Sequence, residues 1–147
     1  MRATSNMPDE LIAEVHTSDL IEMLREYFKD KEEILLAFIF GSIVNSQITR
    51  ESDVDIAILF NRMPDFKEIL YLKGRLSDLI KREIDIVVLN NASPIIRMQV
   101  LKKGLLVANK DRAKYNDFFV RTIKEYEDLK YQRREIEENI LRGKIYA

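Results

Sequence analysis

Apolar residues along the chain alternate between a helical and a strand-like period, and the switches between the two mark its elements. Leu20, Ile21, Leu24, Tyr27 and Phe28 share one face of a helix expected over about 18–29. Asp19 stands in its first turn, where a negative charge suits the helix dipole. A separate short helix is expected over Asp9–Val15. Ile34–Phe40 is a continuous apolar run and reads as a buried strand ended by Gly41-Ser42; Val54–Phe60 reads as a second. Met63-Pro64 marks a turn, after which Asp65 and Glu68 form a capping-box-like start to a helix reaching about Lys81. Ile84–Leu89 is a third strand. Ser93 and Pro94 then supply an N-cap and a first-turn proline for a helix to about Lys103, closed by Gly104. Leu105–Ala108 forms a short last strand. From Asp111 to Arg142 a single long helix is expected, with Tyr115, Phe119, Ile123, Tyr126, Leu129, Ile136 and Ile140 at helical steps.

The order α-β-β-α-β-α-β-α predicts an α/β (α+β) fold, a small mixed β-sheet with flanking helices and a long C-terminal helix. No internal repeat or Gly/Ser/Pro-rich linker divides it. The expected organisation is an N-terminal extension over 1–17 and a single domain over 18–147. A length of 147 residues, 46% of them hydrophobic and 33% charged, is enough for one cored domain. Lys and Arg number 24 against 25 Asp and Glu, for a net charge of −1, which disfavours general nucleic-acid binding. Without cysteine there is no disulfide, thiolate zinc site or cysteine nucleophile. Residues 1–16 lack the apolar run of a secretory signal, and the longest apolar run is too short to span a bilayer, so a cytoplasmic protein is expected.

Candidate chemistry concentrates between residues 40 and 56. A strand ends in Gly41-Ser42; ten residues later Asp53-Val54-Asp55 opens the next. Alternate strand residues share a face, so both carboxylates project together and repel unless a cation sits between them. Mg2+ suits them, because it takes a few carboxylate oxygens and fills its other positions with water and phosphate. Gly41 lets the backbone approach a phosphate, and Ser42 offers it a hydroxyl and an N–H. Asp85, between Ile84 and Ile86 in the third strand, completes a set suited to metal-assisted nucleotidyl transfer. Taken singly, Gly-Ser is a turn, Asp-x-Asp a solvated strand start, and Asp85 an edge-strand residue facing water. Their order on these elements is what argues for chemistry.

Gly41-Ser42, Asp53-x-Asp55 and Asp85 together resemble the minimal nucleotidyltransferases of the DNA polymerase β superfamily. Residues 84–109, followed by a long Tyr- and Arg-bearing helix, are similar to the MntA antitoxins that pair with HEPN-domain HepT toxins; the likeness covers about 18–142. The resemblance implies a nucleotidyltransferase fold, ATP as substrate and Mg2+ as cofactor. Gly41 and Ser42 would grip phosphates and Asp53 and Asp55 would hold metal. Asp85 would ligate a second metal and accept a proton. It also implies a HEPN-domain toxin as partner and one of its tyrosines as acceptor of AMP. One departure stands out: Asn45 and Ser46 occupy places where many members carry Arg-Gly, with Arg50 the nearest cation.

Two other readings remain: a binding-only antitoxin that covers its HEPN partner, favoured by Asn45 and Ser46, and transfer to a small hydroxylated molecule, for which the chain leaves little room. His16, the lone histidine, is expected at the surface. Arg97, Lys102 and Lys103 suit a helix C-terminus, with Arg97 a candidate to face a phosphate. The stripe through Ile136 and Ile140 outruns the domain and is expected to meet another chain, the HEPN partner or a second copy.

Overall fold

The computed structural model describes residues 9–41 and 53–143, with side chains from residue 18 onward. Its elements are α1 (Asp9–Phe28), β1 (Ile34–Phe40), β2 (Val54–Phe60), α2 (Phe66–Ile80), β3 (Ile84–Val88), α3 (Pro94–Lys103), β4 (Leu105–Asn109) and α4 (Arg112–Leu141). The strands form one mixed sheet in the order β3-β2-β1-β4. β1 runs antiparallel to both β2 and β4, while β2 and β3 are parallel, as their connection through α2 requires.

Both faces of the sheet are covered, so β1 and β2 are apolar on both sides. Leu24 and Phe28 of α1 and Leu72 and Leu76 of α2 pack on Ile39, Ile56, Ile58 and Ile84. On the opposite face Val100 of α3 and Phe118 of α4 pack on Leu36, Phe38, Ala57 and Leu89. The expected caps are in place: Asp65 accepts from the Glu68 N–H at 2.8 Å and Ser93 from the Ile96 N–H at 3.3 Å. Glu68 turns outward to Arg62 at 3.4 Å instead of closing a capping box. Gly104 caps α3 in an extended conformation, φ −78°, and not in the left-handed region.

Three expectations need correction. The two helices anticipated before β1 are one: no Gly or Pro interrupts residues 9–28, so the polar His16-Thr17-Ser18 step is carried through. The inward face of α4 is turned from the expected stripe. Phe118 and Thr122 are its buried residues, Phe118 lying 6.5 Å from the Phe38 ring, whereas Phe119 is 41% exposed. Arg97 stands near the start of α3, not at its C-terminal end with Lys102 and Lys103, and its side chain is engaged at the end of β3 away from Asp85. It donates from Nε to the Leu89 carbonyl (3.1 Å), from Nη2 to the Asn90 carbonyl (3.3 Å) and from Nη1 to Glu125 (2.8 Å), pinning α3 and α4 to the end of β3. Asn90 in turn exchanges two 2.9 Å hydrogen bonds with the Phe60 backbone, tying β3 to β2 there. Among the described residues no helix is long and apolar enough to cross a membrane.

Candidate active site

Strand alternation sorts the residues at the start of β2. Val54, Ile56 and Ile58 enter the core beneath α1 and α2, which leaves Asp53, Asp55 and Ala57 on the face of α3 and α4. In β3, Ile84 points into the α1/α2 core and Val87 packs on the other side, placing Asp85 on that same second face. Asp55 and Asp85 are partners across the parallel β2–β3 ladder, and Phe40 is the partner of Asp55 across β1–β2. The candidate carboxylates of two strands are thus brought together at one end of the sheet, beside the end of β1.

Gly41 sits there with φ +89°, a conformation that disfavours any side chain. A Cβ at this position would collide with the Asp55 carboxylate, lying within 3.2 Å of its Cγ and closer still to Oδ2. The glycine therefore makes the space that the carboxylate occupies. Asp53 and Asp85 are exposed and Asp55 is half-buried. Burial raises the pKa of Asp55 above its ordinary 3.8, and the charges of Asp85 and then Asp53 push it further the same way.

A cation bound beside these three carboxylates would relieve their mutual repulsion. All the donors are hard oxygens, which fits Mg2+. Among the described residues no three His, Cys, Asp or Glu side chains close into a cage able to hold an ion unaided. The arrangement is an open face, where water and substrate oxygens would complete coordination. Lys73 of α2 reaches round the edge of the sheet to Asp85, Nζ to Oδ1 3.8 Å. Both side chains are well exposed, so the pair contributes no more than about 1 kcal/mol. Sequence reasoning missed Lys73. Its helix was legible, but that α2 flanks β3 is a fact of topology. Ser42, Asn45, Ser46 and Arg50 lie outside the described residues.

Residues 22–113 match the family model described as Polymerase beta, Nucleotidyltransferase. Over 130 residues the chain is 26% identical to the protein adenylyltransferase MntA of Shewanella oneidensis, covering 87% of this chain and 89% of that one. A crystal structure of a toxin–antitoxin with AMP-PNP superposes with a TM-score of 0.70 at 25% identity, over 82% of this chain and 98% of the other. A tri-AMPylated Shewanella oneidensis HEPN toxin in complex with MNT antitoxin gives a TM-score of 0.63 at 24% identity, over 88% and 98%, a likeness that speaks to the fold.

Proposed function

The chain belongs to the Polymerase beta nucleotidyltransferase family, and from that premise we propose that it is a cytoplasmic, Mg2+-dependent protein adenylyltransferase that silences a HEPN-domain toxin by placing AMP on a toxin tyrosine. The observation that carries this reading is the register of Asp55 with Asp85, with Asp53 on the same face and Gly41 clearing room for the Asp55 carboxylate. The likeness to MntA and to the toxin–antitoxin with AMP-PNP supports ATP as substrate and a toxin as partner.

Asp53, Asp55 and Asp85 would hold Mg2+, which when bound neutralises charge on the phosphate oxygens. Gly41 and Ser42 would orient the phosphates, with no side chain at Gly41 to intervene. Asp85, on the outer strand and open to solvent, would receive the proton of an incoming tyrosine hydroxyl. The hydroxyl oxygen bonds to the α-phosphorus, the bond from that phosphorus to the α,β-bridging oxygen breaks, and pyrophosphate leaves. Asn45 and Ser46 favour one second reading, a binding-only antitoxin.

Labelled ATP with a purified HEPN toxin separates the two. Transfer of label that Asp85→Ala reduces far more than it reduces ATP affinity supports catalysis. Neutralisation of the toxin without label refutes it in favour of binding alone.

A further inference from the structure

At the end of the sheet away from the carboxylates, α1 and α2 part over a cavity of about 400 Å3. Its floor includes Ile34, the first residue of β1, and Phe60, the last of β2; Gly41 and Asp55 lie at the other ends of these strands. Seven residues of strand put roughly 20 Å between the two places.

The walls carry an ordered pattern. Lys67, Tyr71 and Arg75 follow one another at i, i+4 and i+8 along α2, so a ring stands between two cations on one helical row. Opposite them Tyr27 and Lys31 repeat the spacing, with Lys31 Nζ 5.0 Å from the Tyr27 ring centroid. Among the described residues none of Lys31, Lys67 and Arg75 is in an ion pair; the pairs present are Arg62–Glu68, Lys73–Asp85, Arg97–Glu125 and Arg121–Asp117. Two acids also line the cavity. Glu68 is engaged by Arg62, which leaves Glu33 as the counter-charge to three cations.

Two tyrosine rings over an apolar floor, with cations at both margins, match a ligand that is flat at one end and anionic at the other. The volume suits a small molecule. We propose that this cavity is a second nucleotide site, separate from the candidate active site and independent of metal. The base lies between Tyr27 and Tyr71, and the phosphates meet Lys31, Lys67 and Arg75. Aromatic faces accept any base, so the site distinguishes nucleotides from other anions and does not select among bases.

The test uses the full-length chain with fluorescent AMP and ATP analogues, with EDTA and with Mg2+. Asp53→Asn with Asp55→Asn should abolish Mg2+-dependent ATP binding and leave one equivalent of AMP bound in EDTA. Adding Lys67→Glu with Arg75→Glu should weaken that remaining equivalent by about tenfold or more, and raised salt should weaken it too. Tyr71→Ala, at a ring 70% exposed and of little consequence for folding, should weaken it with phosphate unchanged. Loss of all nucleotide binding in the aspartate double variant overturns the second site. So does binding in EDTA that is indifferent to Lys67, Arg75 and Tyr71. Failure of the active-site reading looks different: ATP binding with Mg2+ would survive the aspartate changes.

Discussion

Replacing Gly41 with Ala adds a single methyl group, and the structure says where it goes. The new Cβ overlaps the Asp55 carboxylate. Asp55 cannot retreat with its strand, because Val54 and Ile56 on either side are fully buried, so the carboxylate must rotate towards solvent. Holding Ala at φ +89° costs about 1–2 kcal/mol, and the overlap adds about 1–3 kcal/mol by analogy with overpacked cores. The sum, about 2–5 kcal/mol, is a large share of an ordinary domain's stability. For a chain of this size it lowers Tm by roughly 5–15 °C. Circular dichroism melts and urea titration read the stability; Mg·ATP titration reads the site, which should bind far more weakly once Asp55 is displaced. A double-mutant cycle with Asp55→Ala isolates the contact: with the carboxylate gone, Gly41→Ala should keep its backbone cost and lose about 1–3 kcal/mol of the rest. Simple additivity, or a Gly41→Ala protein with unchanged Tm and ATP affinity, would falsify the packing described here.

Gly74, in the middle of α2, is the opposite case: an added Cβ meets nothing within 4 Å, so Gly74→Ala should stabilise by up to about 1 kcal/mol in urea melts. Asp55→Asn should change the pH dependence of stability in metal-free buffer. The raised pKa means that the folded state holds a proton that the unfolded chain releases above its ordinary 3.8. Wild type should therefore gain stability on Asp55→Asn as pH falls from neutral through the raised pKa, and a gap that is flat with pH contradicts the assignment. Truncation after Leu129 removes only exposed or half-exposed residues of α4. The shortened chain should keep its Tm within a few degrees and bind Mg·ATP while losing the proposed HEPN partner in co-purification. Retained partner binding refutes the role given to Ile136 and Ile140, which are 54% and 44% exposed.

Local signals carried most of the architecture. The strands declare themselves because both faces are covered and the runs are apolar throughout, and α2 and α3 because Asp65, Ser93 and Pro94 have cap positions to fill. The order of the candidate site was legible too, since the spacing of Asp53 and Asp55 fixes their common face whatever surrounds them. What stayed hidden depends on contacts between distant segments. The turn of α4 that buries Phe118 and Thr122 is settled by packing on Phe38 and by the Arg97–Glu125 pair, 28 residues apart. Arg97 looked like a cation suited to a helix dipole because its carbonyl partners belong to the preceding strand end. The cavity between α1 and α2 joins residues 27–34 to 60–75, and neither half reads as a binding site alone.

The pairing of Asp55 with Asp85 across a parallel ladder has a consequence for how such a protein can change over generations. Their separation is set by main-chain hydrogen bonding between neighbouring strands, about 4.8 Å apart, and not by a loop. Substitutions along the exposed end of α4 leave that distance as it was. On the proposed function, the surface of α4 that meets a partner can therefore drift while the carboxylate pair is inherited intact. The reverse is equally open: on the proposed function, one substitution at Asp53, Asp55 or Asp85 would abolish transfer and spare the helix proposed to hold the toxin. Lineages of enzymes and of silent binders can then descend from one scaffold, separated by a single codon.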